Sequence, residues 1–322
     1  MASSASVWEA LGWRLFFDTR LSGPRTFSCA SCHVPEHGFA DGLRLAEGVH
    51  GDTLTRHTPR LVDLAEAELF FWDGRAESLE AQIRVPITDP REMDLPWEEI
   101  APRVAEDPTY TAVFALLDRQ PDAETVVEAL AHFVRGLEAG ESALDRWLAG
   151  QGDALGPAAR RGRMLFFTRA QCATCHIGKA LTDHDFHNVG SGSEDDPGRS
   201  AITGRVEDRG RFKTPPLRGI TNSQPFFHDG RFATLAEVVD HYSEPASGAV
   251  GESELDPLDL DADEKADLVA FLVALEAPGP DLERHRRRWQ QLVTEAEILP
   301  WSSALSGETP GNRDDDRWRG DG

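Results

Sequence analysis

Two stretches of the chain share one pattern of apolar and polar positions. The first is Gly12–Phe17, with the sequence GWRLFF, and the second is Gly162–Phe167, with the sequence GRMLFF. In both, the apolar residues fall at the spacing of one helix face, so each stretch predicts part of an amphipathic helix. The period of the repeat is too long for a solenoid. The pattern therefore predicts two related domains.

A third helical pattern lies between these stretches. Residues Ala123–Leu148 place apolar side chains on one side of a predicted helix, at Val126, Val127, Leu130, Phe133, Val134 and Leu137. The glycine-rich segment Gly150–Gly156 then predicts a linker. The predicted organisation is an N-terminal domain over residues 1–150, a C-terminal domain over residues 151–300 and a disordered acidic tail over residues 301–322.

The second half carries two signals for the start of a helix. Thr234 opens a predicted helix that runs through Tyr242, because a glutamate follows it at capping-box spacing. Asp261 repeats that spacing ahead of a helix predicted over Lys265–Glu276. Strand signals are few, and residues 178–232, rich in Gly, Pro, Asp and Arg, predict long loops. The predicted fold class is mainly α.

All four cysteines lie in two copies of one short motif, Cys-x-x-Cys-His. The members of the two copies are Cys29, Cys32, His33, Cys172, Cys175 and His176. This motif attaches haem c: the two thiols form thioethers with the porphyrin vinyl groups, and the histidine binds the iron. A zinc site that joins a Cys-His pair from each copy, or disulfides, would use the same residues. Two complete copies with no cysteine left over favour two covalent haems.

The charge of the chain narrows the choice of partners. Its 322 residues include 33 Lys and Arg against 56 Asp and Glu, a formal net charge of −23. That excess excludes the basic face of a nucleic-acid-binding protein. It is compatible with docking to a basic protein and equally with a well-solvated acidic surface.

The haem motifs also predict where the protein works. Haem c is attached after export, which in bacteria means on the periplasmic side. Residues Met1–Ser6 have neither the basic nor the apolar region of a signal peptide, so we expect that a leader was removed and that the protein is periplasmic. No apolar run approaches the roughly 18 residues of a membrane span, so no anchor is expected.

Two further motifs make the chain similar to a known family. Phe71–Ala76, with the sequence FWDGRA, and Phe227–Gly230, with the sequence FHDG, occur in order with the haem motifs. Together they resemble the bacterial dihaem cytochrome c peroxidase and MauG family, from about Leu11 to Glu276. The resemblance implies two cytochrome c-like haem domains in tandem. The N-terminal haem would react with peroxide, and the C-terminal haem would transfer electrons.

The resemblance implies roles for residues around the first haem. The family's inter-haem tryptophan and its distal glutamine, proline and glutamate match Trp72, Gln82, Pro86 and Glu92. A carboxylate over the iron can move a proton between the two peroxide oxygens, so Glu92 is the expected acid/base catalyst, with Gln82 in support. The alternative for Glu92 is a surface carboxylate. Trp72 is the expected electron relay between the haems, and it would also serve as a core aromatic residue.

The ligand of the second haem separates two branches of the family. In one branch a methionine binds the iron opposite the histidine and raises the reduction potential. The methionines of this chain are Met1, Met93 and Met164, all before the second haem motif, and the matching position is Tyr242. A phenolate is a hard anionic ligand that lowers the potential, which is the MauG-type arrangement. The alternatives are that His241 is the ligand, or that the iron has none.

The resemblance also implies a calcium ion between the haems, held by an asparagine side chain and two backbone carbonyls. The carbonyl positions match Ser223 and Pro225, whereas the asparagine position is His57. Because imidazole is a poor calcium ligand, a calcium site here would need Asp63 or a water molecule as a substitute. The resemblance thus implies two haem c groups and leaves one calcium ion open.

Other histidines lie near the predicted haem sites. His228 is expected to be structural or to relay protons. His50 lies one residue from the position of a family histidine that caps the first haem, so capping is an alternative to a solvated loop histidine. His184 and His187 have the spacing of a metal pair, although a structural role is favoured.

The implied function is that of a MauG-like enzyme. Hydrogen peroxide would form high-valent haem iron at the His33 site, and the oxidising equivalents, shared through Trp72, would oxidise a partner protein or a reductant at long range. One alternative is a conventional dihaem cytochrome c peroxidase that draws electrons from a small redox protein. Another is a non-catalytic dihaem electron carrier. We expect no nucleic-acid partner, no membrane span, and a monomer or homodimer.

Overall fold

The computed structural model describes residues 3–245 and 250–298. The predicted acidic tail over residues 301–322 lies outside the described residues. Within those ranges the chain is mainly helical, as predicted, and its two short strands form one antiparallel pair. None of the described helices is both long enough and apolar enough to cross a bilayer.

The helices and strands follow one another in two groups. The first group is α1 (Ser4–Phe16), α2 (Cys29–Cys32), α3 (Leu79–Thr88), α4 (Ile100–Ala105), α5 (Pro108–Ala115) and α6 (Ala123–Arg135). The second group is α7 (Ala143–Leu148), α8 (Pro157–Phe167), β1 (Phe186–His187), α9 (Ser200–Thr203), β2 (Phe212–Lys213), α10 (Leu235–Ser243), α11 (Ala262–Val273) and α12 (Leu282–Ile298).

The repeated apolar pattern builds the same helix pair in each half of the molecule. In the first half α1 packs on α6, and in the second half α8 packs on α11. A Cβ atom at Gly12 would lie 1.9 Å from the carbonyl oxygen of Ala129. A Cβ atom at Gly162 would lie 1.8 Å from the carbonyl oxygen of Asp267. The two glycines therefore let the helix backbones approach more closely than any side chain would allow.

The phenylalanines of the repeat fill the two cores in the same way. Phe16 packs edge-on against Phe133 of α6, with ring centroids 5.1 Å apart. Phe166 packs edge-on against Phe271 of α11, also at 5.1 Å. The prediction of two related helical units thus agrees with the packing of their cores.

The helix predicted over Ala123–Leu148 is two helices that belong to different cores. α6 packs in the first core, whereas Leu144 of α7 packs in the second. Between them, a Cβ atom at Gly140 would lie 2.4 Å from the ring of Pro278, so the chain passes in close contact with a distant segment there. The change from one core to the other therefore occurs before residue 143 rather than at the predicted linker near residue 150.

The last described helix also departs from the predicted domain limits. The predicted C-terminal domain extends to residue 300, yet Leu292 and Ala296 of α12 are buried in the first core, where α12 packs on α1. Trp289 adds a ring contact with Tyr110, with centroids 5.6 Å apart. The apolar face of α12 therefore closes the N-terminal unit, although the helix follows the C-terminal unit along the chain.

Both predicted capping boxes form. Thr234 caps α10, which includes Tyr242 as predicted. Asp261 caps α11, and the helix begins at once, at Ala262, rather than at the predicted Lys265.

Candidate haem sites

The histidines of the two Cys-x-x-Cys-His motifs have the same hydrogen-bond partners. Nδ1–H of His33 donates to the carbonyl of Phe39, at 2.9 Å, and Nδ1–H of His176 donates to the carbonyl of Leu181, at 2.8 Å. Because a carbonyl can only accept, the proton is on Nδ1 in both rings, and Nε2 carries the lone pair. Burial lowers the pKa of both histidines, which favours the neutral ring. This is the form that binds haem iron.

The cysteines of both motifs are free thiols. Burial raises the pKa of Cys29, Cys32 and Cys172 to about 12, which disfavours the thiolate form that binds zinc. Among the described residues, no cluster with metal-ligand spacing joins the two motifs. The arrangement thus gives no support to the zinc and disulfide alternatives.

A cavity of about 340 Å³ lies where the two halves meet. Its volume is within the range of about 300–1,000 Å³ that is usual for sites of organic ligands. Residues of both halves line it, including Trp72, Gln82, Cys172, Cys175, His176 and Tyr242. The described residues that line it do not include His33 or Glu92. The cavity therefore brings the second motif, Tyr242 and part of the first site together.

Tyr242, rather than its neighbour His241, faces the second motif. Tyr242 lines the cavity, and burial and the nearby sulfurs of Cys172 and Cys175 raise the pKa of its phenol. His241 does not line the cavity, and its Nε2–H donates to the carbonyl of Val189, at 2.7 Å. Of the two candidates, only Tyr242 lines the cavity that the second motif also lines.

A second internal repeat, which the sequence analysis missed, shows that the two sites are built in the same way. Residues 70–75 read FFWDGR and residues 226–231 read FFHDGR. Both form the same turn, closed by antiparallel bridges between Phe70 and Ala76 and between Phe226 and Phe232. The shared letters could have shown this repeat. Trp72 and His228, which differ at the one variable position, make it less apparent.

The second repeat sets α3 and α10 in register. Each helix follows its turn at the same distance, and Pro86 and Tyr242 are the eighth residues of their helices. Gln82 and Val238 are the fourth residues, and both line the cavity. Because α3 packs on α6 as α10 packs on α11, matching positions occupy matching places in the two halves. The first half thus has an amide and a proline where the second has a valine and a phenol.

Glu92 follows α3 and is half-buried. Burial and the neighbouring carboxylate of Asp89 raise its pKa, and they outweigh the opposite effect of Arg75 and Arg91. The charge of Glu92 also raises the pKa of Cys32, so the carboxylate is close to the first motif. A carboxyl group with a raised pKa is better matched to proton transfer near neutral pH than an ordinary surface glutamate.

His50 lies on the surface beside this segment. Its ring is 49% exposed, and its Nε2 is 2.8 Å from a carboxylate oxygen of Asp94. The structure therefore pairs His50 with Asp94 and shows it as a solvated loop histidine.

Trp72 joins the two halves through its backbone and its ring. Its indole N–H donates to the carbonyl of His57, at 2.9 Å, and its own carbonyl accepts from the N–H of Lys213 in β2, also at 2.9 Å. The ring lines the cavity. Trp72 thus lies in the wall of the cavity that residues of both halves share, and its role as an electron relay stays a prediction.

Two cations that face the cavity have no carboxylate partner among the described residues. Burial lowers the pKa of Lys213 to about 8 and that of Arg60 to about 10. Arg60 donates instead to the carbonyls of Pro216 and Arg218, at 3.2 and 2.6 Å, and its buried Nε has no partner. Such cations suit an organic ligand that carries carboxylates, and haem has two propionates. The chain is therefore suited to the haem groups that its motifs attach.

His228 takes part in a buried network rather than in ligation. It stacks on Phe212, with centroids 3.5 Å apart, and burial lowers its pKa to about 4. Its Nε2 is 3.8 Å from Asp196, which pairs with Arg56 at 2.7 Å. Arg56 pairs also with Asp73 of the first turn, at 2.6 Å. The neutral ring of His228 is thus a structural element beside the ion pairs that connect the halves.

His184 and His187 have different surroundings. His187 lies between carboxylates, with Nε2 2.8 Å from Asp183 and Nδ1 2.7 Å from Glu254. With Cys175, His187 and Asp183 have the spacing of metal ligands, but that cysteine belongs to the second haem motif. Both ring nitrogens of His184 are buried without a partner.

The predicted calcium position does not fit calcium. Ser223 and Pro225 line the cavity, but the position of the family's asparagine holds His57, whose Nδ1–H donates to the carbonyl of Leu43, at 2.7 Å. The predicted substitute, Asp63, accepts from the backbone N–H of Ala139, at 3.0 Å. A ring nitrogen is a poor ligand for calcium, which prefers an oxygen such as that of an amide.

Known proteins resemble this chain over most of its length. The family described as di-haem cytochrome c peroxidase matches residues 7–153. The methylamine utilization protein MauG of Methylorubrum extorquens is 42% identical over 274 residues, which cover 83% of this chain and 78% of that protein. The cytochrome c551 peroxidase of Nitrosomonas europaea is 32% identical over 280 residues, which cover 85% and 81%. The crystal structure of a MauG-like protein associated with microbial copper homeostasis is 34% identical, with a TM-score of 0.76, and the match covers 86% of this chain and 91% of that chain.

Proposed function

Because this chain belongs to the dihaem cytochrome c peroxidase and MauG family, we propose that it works in the MauG-like manner, with unequal roles for its two haems. Its relatives identify it as an oxidoreductase that acts with hydrogen peroxide and carries two haem c groups. His33 would hold the haem whose iron reacts with peroxide, and His176 and Tyr242 would hold the second haem.

The observation that carries the proposal is the register between α3 and α10. Pro86 and Tyr242 are equivalent residues of the two helices. Proline has no side-chain donor atom and could not bind an iron held by His33. The phenol oxygen of Tyr242 could bind an iron held by His176. The fourth helix position supports the same difference between the two sites. It holds Gln82 in the first half and Val238 in the second, so only the first half presents an amide that can orient peroxide.

Proton transfer is the task of Glu92. Reduction of one peroxide to two waters consumes two electrons and two protons, and when bound the haem supplies a redox-active iron for the electrons. Glu92 would accept a proton from one peroxide oxygen and deliver it to the other. Its raised pKa favours both directions more than the pKa of an ordinary surface glutamate would.

A partner is the source of the electrons, and Trp72 provides their path between the two haem sites. Its ring lines the cavity that Tyr242 also lines, and its backbone is bonded to β2. A redox partner protein or a reductant is oxidised at the surface of the second half, at a distance from the peroxide. The absence of a methionine after the second motif favours this scheme over the conventional one. A periplasmic location is part of the proposal.

The test is to mix the fully oxidised dihaem protein with one equivalent of hydrogen peroxide and no reductant. We expect the peroxide to be consumed and two oxidising equivalents to be recovered by titration with ferrocyanide. Consumption that begins only after one electron has been loaded into the second haem would support the conventional alternative and contradict the proposal. No consumption under either condition would support the electron carrier.

A further inference from the structure

His57 is a connecting residue at the junction of the two halves. The residue is 4% exposed. Its backbone N–H donates to the carbonyl of His228, at 2.7 Å, and its carbonyl accepts from the indole of Trp72, at 2.9 Å. His228 and Trp72 occupy the same position in the two repeated turns. The backbone of His57 therefore holds the turns of the two halves together.

The side chain of His57 occupies the place where the family resemblance implies a cation ligand. Its Nδ1–H donates to the carbonyl of Leu43, at 2.7 Å, and the carbonyl of Ser223 faces the same ring. Nδ1 is also 3.8 Å from a carboxylate oxygen of Asp41. A ring N–H thus satisfies a buried carbonyl that would otherwise need a cation or water.

The side-chain oxygens nearest this ring are already hydrogen-bonded. Calcium takes about six to eight oxygen ligands at roughly 2.3–2.6 Å. One carboxylate oxygen of Asp41 accepts from the hydroxyl of Thr58, at 2.5 Å, and the other accepts from the N–H of Leu43, at 2.9 Å. Among the described residues, no group of His, Cys, Asp and Glu side chains with metal-ligand spacing includes Asp41 or His57.

We propose that this chain holds the junction of its two halves without calcium, and that the His57 side chain does the structural work of the ion. The ring is bonded to the Leu43 carbonyl, it lies against the carbonyl of Ser223, which the resemblance assigns to the ion, and it fills the space between them. This inference is independent of the reaction proposed above, because it concerns metal content and packing and not peroxide chemistry.

The first test is the metal content of the dihaem protein. After purification with calcium present and dialysis into calcium-free buffer, plasma mass spectrometry should find calcium far below one ion per chain. The chelator EGTA should leave the absorption and EPR spectra of both ferric haems unchanged. Retention of one calcium per chain, or a spectral change with EGTA that added calcium reverses, would overturn the proposal.

The second test is to give the site an oxygen ligand. His57→Asn replaces the ring with a smaller side chain that offers a carbonyl oxygen, so calorimetric titration with calcium should show one ion bound per chain, where the wild type shows none. The matched control is His50→Asn, at an exposed loop histidine, which should bind none. A dihaem His57→Asn protein that binds no calcium would show that His57 is not what excludes the ion. His57→Asp, judged by the same titration, serves if the Asn variant does not accumulate.

Discussion

Tyr242 and Pro86 stand at the same position of two helices that follow the same turn, one in each half of the molecule. The two halves otherwise repeat each other closely, from the glycines of α1 and α8 to the hydrogen bonds of the motif histidines. A phenol at one position and a ring without a donor atom at the other make two similar haem sites chemically unequal. The proposed division of labour depends on this difference.

Tyr242→Phe should convert the second haem from low spin to high spin, because the phenyl ring has no atom to bind the iron. EPR of the ferric protein measures this change. The matched control is Tyr110→Phe, which alters the other tyrosine of the chain. Tyr110 is buried and donates to Asp18 at 2.6 Å, so its loss should cost about 1–3 kcal/mol of stability and leave both haem signals in place. An unchanged low-spin signal in Tyr242→Phe would remove the tyrosine from the ligand set.

Glu92→Gln should slow the reaction with peroxide by about 10²- to 10⁴-fold, the usual contribution of a general acid/base group. Glu92 acts as a base when ionised, and its pKa is raised. In the wild type the rate should therefore fall as the pH drops through that raised pKa, and the Gln variant should lose this dependence. Stopped-flow absorption provides the rates, with Glu98→Gln, at an exposed residue, as the control. Equal rates in wild type and Glu92→Gln would place proton transfer elsewhere.

Trp72→Phe should slow the redistribution of oxidising equivalents between the haems, because phenylalanine is much harder to oxidise than indole. Freeze-quench EPR after peroxide addition follows both haems with time. Trp97→Phe changes a half-buried tryptophan that stacks under Arg84, with the guanidinium 3.9 Å from the ring, and should leave the redistribution unaltered. Normal redistribution in Trp72→Phe would show that the electrons take another path.

Lys213→Met should lower the reduction potential of a haem, because removal of a buried cation near the propionates favours the ferric state. A tenfold change in the reduction equilibrium corresponds to about 59 mV for one electron. Spectroelectrochemical titration measures the potentials. Lys179→Met, at a lysine whose side chain is 77% exposed, should leave them unchanged. If the two potentials are the same in Lys213→Met and wild type, Lys213 is not a propionate partner.

Gly162→Ala should destabilise the second half, since the new methyl group would meet the carbonyl of Asp267. Overpacking of this kind costs about 1–3 kcal/mol. Gly152→Ala is the control, because a Cβ atom there would meet nothing within 4 Å. Denaturant unfolding compares the two variants, and equal stabilities would contradict the close helix contact.

Local sequence signals predicted the parts of this structure that depend on neighbouring residues. A few adjacent positions are enough to predict the motif histidines and the capping boxes of Thr234 and Asp261. The same is true of α1 and α8, which contain the repeated stretches. The packing of α12 on α1 could not be predicted in this way. Leu292 and Ala296 form an apolar stripe that would suit either core, and tertiary contacts decide between the two.

The candidate site could likewise be predicted from local sequence only in part. Tyr242 was found because the family has a ligand at that position, but its pairing with Pro86 depends on a repeat that Trp72 and His228 obscure. The cavity itself gathers residues from both halves, and such long-range contacts leave no local pattern. The loss of the calcium ligand at His57 was visible in the sequence, whereas the bond from its ring to Leu43 was not.

The EPR spectrum of the ferric dihaem protein, as isolated, decides whether the two irons are unequal. It should show two signals of equal weight, one high-spin from the haem held by His33 and one low-spin from the haem held by His176 and Tyr242. Two low-spin signals, with both irons bound by two protein ligands, would contradict the proposed division of roles.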